Sequence, residues 1–519
     1  MATTDSDVRD GLSSVTRGTL FLLVATLLYV AFNFAARWIV IRSISFSDWN
    51  AFSLALALVS VVAAVGTLGL PSAVARSLPY VGSDAERRTI VRGSLTIGGV
   101  AAVASAVTLW LLGPWIAGTL HSSLLGPALT VFPIAVGTSI AVSLIAAIFQ
   151  GYEDVTPNAL YVQIVTPGLF VAFLIAVFVL PPRGIYYESA LLAYVGANVA
   201  SLLLTIAYAL RRLPRLLSPG VGSPGALGHL LWFAAPLFLV TLTGTLTGTG
   251  DTLVLGIFHP TEVGTYTASL TLARLLQVGV GAAAYIFLPV AARFLRLKDL
   301  RSIQVTYVTI TKWMILFSLP LFLLFLILPS RSLDFVYGPT YAVILLPLQL
   351  TVFGAFLTTA FGPAANAQVA FGQTRLLAYN SVIAAALDIG LAFALVPSEG
   401  LTGAAIAWAV ANAVYTALSL LELAVLTRVH PFRPHFFLPL LVTALPIAAV
   451  LALAPVSFPL WSLPVLGVAI AGIFVLVVLV THSVDEGDRL LLGAVEGLIG
   501  RPLPFVRRLG RLGTPRAKP

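Results

Sequence analysis

The sequence predicts an all-α polytopic membrane protein of about fourteen transmembrane helices: two six-helix lobes related as a repeat, followed by an extra helix pair. Three observations predict it. The 519 residues are 59% hydrophobic and 9% charged, with a mean hydropathy of +1.01, whereas soluble domains carry about 25% charge. The apolar stretches are long enough for the roughly 20 residues that a helix needs to cross a bilayer. The Lys and Arg residues between them fall almost wholly in every second connection.

Residues 1–17 are polar and acidic through Asp5, Asp7 and Asp10 and lack the basic-apolar-small order of a cleaved signal. The first apolar segment is therefore expected to stay as a helix. Spans are then expected at 18–41, 49–78, 89–113, 124–150, 158–180, 188–210, 228–258, 262–292, 302–328, 341–370, 375–396, 402–427, 435–454 and 460–482. Gly, Pro and charge punctuate the connections at 79–88, 181–183, 211–225, 329–339 and 428–434, none long enough for a soluble domain. This places an N-terminal lobe (helices 1–6) at 18–215, a C-terminal lobe (helices 7–12) at 226–430 and helices 13–14 at 434–482. The basic tail, 483–519, has apolar and basic residues suited to an interfacial helix broken at Pro502.

With the amino terminus in the cytoplasm, twenty-two Lys and Arg residues lie inside, seven of them beyond Asp485, against Arg42, Arg183 and Arg331 outside. This asymmetry puts both termini of a multi-pass cell-membrane protein in the cytoplasm. It also accounts for the net charge of +9 without a nucleic-acid partner. The absence of cysteine excludes disulfides, thiolate metal sites and cysteine nucleophiles. No Gly-rich Lys motif for ATP is present.

Sliding the chain against itself at an offset of 214 lays residues 37–58, RWIVIRSISFSDWNAFSLALAL, on 251–272, DTLVLGIFHPTEVGTYTASLTL. Asp48 then matches Glu262 and Phe52 matches Tyr266, and the same offset lays AYVGAN (193–198) on AWAVAN (407–412). Six helices per half is an even number, so the halves enter from one side and are related by an axis along the membrane normal, with a cleft between them.

The stretch DTLVLGIFHPTEVGTYTASLTLARLLQ, with TLGLPSAVARSLP (67–79) and AFGQTRLLAYNSVIAAALDIGLAFALVPSEGLTGAAIAWAVAN (370–412), resembles the polysaccharide-biosynthesis flippases. These belong to the multidrug/oligosaccharidyl-lipid/polysaccharide exporter superfamily, and the likeness spans roughly residues 15–430. It implies a MATE-like fold around a central, often cationic cavity. It also implies movement of a polyprenyl-(pyro)phosphate-linked oligosaccharide from the cytoplasmic to the outer leaflet. Fourteen spans rather than twelve resemble the peptidoglycan-precursor flippases of that superfamily.

Charged residues inside apolar helices then name the candidate site, because each costs roughly 2.5–3.5 kcal/mol at a helix centre unless it faces a bundle interior, a partner or water. Thr26, Tyr29, Asn33 and Arg37 share one face of the first span. Arg37 is expected to meet a headgroup phosphate through its planar fork of donors, against a snorkelling alternative. Asp251, its repeat mate, shares a face with Thr247 in the Thr/Gly run 241–250, which suits a cavity lining. A gating or structural ion pair is favoured there over cation coupling. Arg274 lies roughly 18 Å along its span, near mid-membrane, with Thr271 and Gln277 beside it, and is the foremost headgroup contact, against a buried structural pair with Asp251 or Asp388. Lys312, roughly 15 Å into its span from the cytoplasmic side, is either a second phosphate contact or a side chain that snorkels partway back. Asp388 is expected to partner Lys312 or Arg274, a role favoured over proton coupling. Arg76 and Arg293 mark the cytoplasmic mouth, where the demand of membrane orientation for inside-end Arg is favoured over attraction of anionic headgroups.

The expected activity is flipping of a lipid-linked oligosaccharide by alternating access for cell-surface glycan assembly, without catalytic residues, metal or cofactor. Coupling to the membrane potential, H⁺ or Na⁺ is left open. The expected partners are the glycan lipid and the bilayer, with the protein acting as a monomer alongside glycan-assembly enzymes. The rivals are a cation-coupled multidrug exporter on the same fold and a membrane-embedded glycan polymerase or ligase.

Overall fold

The computed structural model describes residues 5–120, 122–179, 186–212, 224–279, 287–288, 290–291, 294–342, 345–432, 441, 444–449 and 459–480. Every regular element among them is helical. Among the described residues, eleven helices are long and apolar enough to cross a membrane, and they coincide with expected spans 1–7 and 9–12. Expected spans 8 and 13 fall partly, and the tail 483–519 wholly, outside the described residues. Span 14 appears as Ser462–Val480.

The chain opens with α1 (Asp5–Ser43) and α2 (Phe46–Gly66). Ser45 starts α2 by accepting the Asp48 backbone N–H at 3.1 Å, a cap that satisfies one of the orphan donors of the first turn. The second span is not the continuous helix that its hydropathy predicts. It breaks at residues 67–69, where Leu68 (φ 51°) and Gly69 (φ 70°) turn left-handed, and resumes as α3 (Leu70–Ser77) with Pro71 in its first turn. Gly69 is obligatory there, because a Cβ would lie 2.5 Å from the Ala234 carbonyl oxygen.

Next come α4 (Asp84–Thr119), capped by Ser83, and α5 (Leu125–Gly151). The fifth span begins as a π-helix, Asn158–Val165, before continuing as α6 (Thr166–Val179). The loosened Tyr161 carbonyl accepts the Thr166 hydroxyl at 2.7 Å and the Ser201 hydroxyl at 3.4 Å. Then follow α7 (Tyr187–Arg212), α8 (Pro224–Phe258) and, after the 3₁₀ turn Pro260–Glu262, α9 (Val263–Leu275).

Asp299 caps α10 (Leu300–Ile327). The Ser302 hydroxyl and then its backbone N–H hold the Asp299 carboxyl below the usual carboxylate range. The expected connection 329–339 carries the short α11 (Pro329–Tyr337). The tenth span is split at Gly362-Pro363 into α12 (Leu345–Phe361) and α13 (Pro363–Ala370). The remaining helices are α14 (Thr374–Glu399), α15 (Leu401–Thr427) and α16 (Ser462–Val480).

The helices cluster into two compact units: residues 24–268 with 385–407, and residues 1–23 with 269–384 and 408–519. In the first, α5 packs on α2, α3, α4 and α7, around Trp49, Phe52, Phe132, Phe170 and Tyr194. Their rings meet at centroid distances of 5.1–6.5 Å, within the range of favourable stacked and edge contacts. A second apolar cluster there joins Leu70 and Val74 of α3, and Leu78 just after it, to Ile90, Leu144, Ile148 and Leu230. In the second unit α10 packs on α12 and α16, and Tyr307, Ile310 and Met314 pack with Phe287, Ala364, Ala367 and Leu423.

The offset of 214 recurs in the backbone. The pairs Phe46 and Pro260, and Tyr187 and Leu401, open corresponding helical segments at that separation. Tyr208 of α7 donates to Asp154 at 3.0 Å. Its repeat mate, Glu422 of α15, accepts from Gln368 at 2.7 Å and Asn380 at 2.8 Å.

Candidate functional site

The Thr/Gly run of α8 is built differently from its composition. Thr241, Thr243, Thr245, Thr247 and Thr249 each donate their hydroxyl to the carbonyl four residues earlier, at 2.8–3.0 Å. The donors are thus satisfied within the helix, and what these side chains retain is acceptor capacity and a methyl group.

One turn on, Asp251 is fully buried. It accepts the Thr252 backbone N–H at 2.6 Å and the hydroxyl of Tyr266, itself fully buried on α9. Gly250 leaves α14 room to approach, since a Cβ there would be 3.1 Å from Ile389. Beside Ile389 on α14, Asp388 is also fully buried, and neither of its carboxylate oxygens has a hydrogen-bond partner among the described residues. The sequence reading expects Lys312 or Arg274 as the partner of Asp388; burial is the main influence on its carboxyl, and the Asp251 carboxylate also acts on it. Two buried carboxylates in one low-dielectric site repel unless a proton or a cation is shared between them. Orphaned oxygens of this kind fit a small hard cation or a proton.

At the start of the same helices, repeat mates touch. The Trp49 indole N–H donates to the Gly264 carbonyl at 2.8 Å, and the Gly264 N–H donates to Asn50 Oδ1 at 2.6 Å. The Thr267 hydroxyl donates to Ser53 Oγ at 3.0 Å. Asn50 with Gly264, and Ser53 with Thr267, are each 214 residues apart, so α2 and α9 meet at equivalent positions. Gly264 makes this approach possible: a Cβ would lie 2.5 Å from Trp49 and 2.8 Å from Asn50 Oδ1. Glu262, just before it, accepts the first N–H of α15, from Leu401, at 2.8 Å beside left-handed Gly400. Its repeat mate Asp48 acts electrostatically on Tyr187, at the start of α7.

The expected basic residues fall in both units. In the first, Arg37 is half-buried on α1, and Asn33 on the same helix donates to the Tyr29 carbonyl at 2.8 Å. Arg76 projects from α3 with its guanidinium 5.2 Å from the centroid of Phe233. In the second unit Arg274 is half-buried in the last turn of α9, Thr271 is buried, and Gln277 donates to Thr358 Oγ1 at 2.9 Å. Lys312 is 3% exposed on α10. Arg293 lies outside the described residues.

The structure therefore brings Asp251 and Asp388 together and adds three features that sequence reasoning missed. These are the Tyr266 hydroxyl on Asp251, the Glu262 cap on α15, and the α2–α9 contact. The offset of 214 already paired Ser53 with Thr267; what it lacked was any indication that the mates touch.

Residues 15–295 match the model of a family described as "Polysaccharide biosynthesis protein". A search of the curated proteins finds no match to the sequence. Among solved structures the chain is similar to the lipid II flippase MurJ in an inward closed conformation, at 13% identity and a TM-score of 0.69 over 88% of this chain and 98% of that one. It is similar to an inward-facing multidrug resistance MATE family transporter of the MOP superfamily, at 16% identity and a TM-score of 0.58 over 79% and 98%. It is also similar to a MOP superfamily transporter from Pyrococcus furiosus described as having a binding pocket of reverse polarity, at 16% identity and a TM-score of 0.52 over 82% and 99%. At these identities the likeness is one of fold.

Proposed function

The chain belongs to the polysaccharide biosynthesis protein family, and from that premise we propose that it is a flippase for a polyprenyl-(pyro)phosphate-linked oligosaccharide. The observation that carries the reading is the family match across residues 15–295. The MOP-type fold and the basic side chains Arg274 and Lys312 within apolar helices support it.

The task sets the chemistry. A charged, hydroxyl-rich headgroup cannot cross hydrocarbon unaided, whereas its polyprenyl tail gains nothing by leaving it. In this reading the lobes 18–215 and 226–430 rock about a cleft opened first to the cytoplasm and then to the outer face. Arg274, Arg37 and Lys312 replace water around the phosphate, Arg through its planar fork and Lys as a point charge. The tail stays in lipid. Both termini are cytoplasmic, and the protein acts as a monomer beside the glycan-assembly enzymes of the cell membrane. An inside-negative potential favours outward movement of each negative charge by about 2.3 kcal/mol per 100 mV.

The Asp251–Asp388 pair supports a second element, coupling to H⁺ or Na⁺, because Asp388 has acceptors without a donor. The same pair is what a cation-coupled multidrug exporter needs, and that remains the second reading of this chain. The two are separated in proteoliposomes. Protein-dependent flipping of a fluorescent polyprenyl-pyrophosphate oligosaccharide is expected in the wild type. In Arg274→Ala it is expected to fall about ten- to a hundredfold, the worth of a lost charge-assisted contact, with Arg274→Lys recovering part. Export of cationic dyes without glycolipid flipping would overturn the flippase reading, and wild-type flipping in a folded, inserted Arg274→Ala would overturn the role of Arg274.

A further inference from the structure

Two departures from regular helix in the first unit, the turn that aims α3 and the π-helix, flank one cavity. The left-handed turn at Leu68 and Gly69 aims α3, and the apolar face of α3 (Leu70, Ala73, Val74) is locked into the core. Its other face, Pro71, Ser72, Ala75 and Arg76, is left to line a cavity of about 470 Å³. Across it stand Ser143, Ala146, Ala147 and Gln150 of α5, and Asn158 and Val162 of the π-helix. Strained turns and π-helical segments cost stability and gather where a backbone must present side chains to a ligand. Here two of them, far apart in sequence, present polar groups to the same space.

The chemistry of that space is selective. Gln150 and Asn158 bring primary amides that both donate and accept, and their tips are linked at 3.5 Å. Ser72 and Ser143 bring hydroxyls. The Arg76 guanidinium is held against Phe233, and among the described residues its N–H groups have no carboxylate partner. No acidic and no aromatic side chain lines the cavity, so neither a cationic nor a flat apolar ligand finds a matching surface. Ala75, Ala146 and Ala147 keep it open, and its volume falls in the usual range of small-molecule sites, about 300–1,000 Å³.

We propose that this cavity is a saccharide subsite for a hydroxyl-rich ring bearing an anionic group. Arg76 holds the anion, while Gln150, Asn158, Ser72 and Ser143 exchange hydrogen bonds with the ring hydroxyls. This deepens the flippase reading and rests on it for the source of the ring, a glycan on a lipid carrier. It also gives Arg76 a binding role beyond membrane orientation.

The chain has no cysteine, so Ala75→Cys and Val162→Cys each place one thiol on opposite walls of the full-length protein without removing a proposed contact. Maleimide labelling is followed in nanodiscs with three probes: inorganic phosphate, undecaprenyl phosphate, and the lipid-linked saccharide fraction extracted from the cells the chain comes from. The saccharide fraction is expected to slow labelling about tenfold at both thiols, and the other two probes by less than about twofold. Adding Gln150→Ala is expected to relieve the protection while leaving the unprotected labelling rate unchanged. Equal slowing by phosphate or undecaprenyl phosphate would reduce the cavity to an anion site, and no slowing by any probe would remove it; either overturns the proposal. Flipping of the same fraction by the wild type is measured alongside. Flipping without protection overturns the subsite and leaves the flippase reading standing. Protection without flipping does the reverse.

Discussion

Asp388 and the α8 threonines show how far single residues can be read from sequence. A carboxylate in an apolar helix announces itself, and Asp251 and Asp388 were both legible as candidates for that reason. Their proximity was not, because it arises from the approach of α14 to α8 at Gly250 and Ile389, which no local pattern encodes. For the threonines the structure adds what composition does not carry: each hydroxyl donates to its own helix, so a cavity lined by them would offer acceptors and methyl groups. If Asp388 takes part in coupling, Asp388→Asn keeps the shape of the site but removes one negative charge. Glycolipid transport in proteoliposomes should then lose its response to imposed Na⁺ and H⁺ gradients. A folded variant that responds as the wild type does would rule the coupling role out.

Among the elements, the α2–α9 contact carries the clearest consequence. Ser53 and Thr267 meet at 3.0 Å, so a Ser53→Cys/Thr267→Cys pair should oxidise readily and stop transport until it is reduced. Adding Gly264→Ala forces a Cβ against Trp49 and Asn50, an overpacking of about 1–3 kcal/mol. Crosslinking should slow by roughly five- to a hundredfold if that cost falls on the closed contact. Undiminished transport through a quantitatively crosslinked protein would show that α2 and α9 need not separate. Hydropathy located eleven of the spans but drew spans 2, 5 and 10 as plain helices, because it averages over the few residues that interrupt them. Gly69 with Pro71, and Gly362 with Pro363, were visible in the sequence; the π-helix at Asn158–Val165 had no such mark.

For the whole molecule, twenty-two of the basic groups in loops and tail are read as cytoplasmic, and in the flippase reading proposed above an anionic substrate would move its charge away from them. Each charge moved through 100 mV changes the equilibrium distribution about fiftyfold. Flipping rates under potassium diffusion potentials of opposite sign should therefore diverge, and equal rates at both signs would remove the potential as a driving force. The offset of 214, faint as residue identity, is plain as structure in the starts of α2, α7 and α15. Where equivalent positions also touch, as Asn50 does with Gly264, a local two-fold axis must run between them, as it does through an isologous interface of a homodimer. In a true homodimer the residue on the axis must complement itself. Here both copies are encoded in one chain, so that constraint is lifted: one copy supplies an amide side chain and the other a bare backbone N–H, a lock-and-key division of labour that two identical subunits could not adopt.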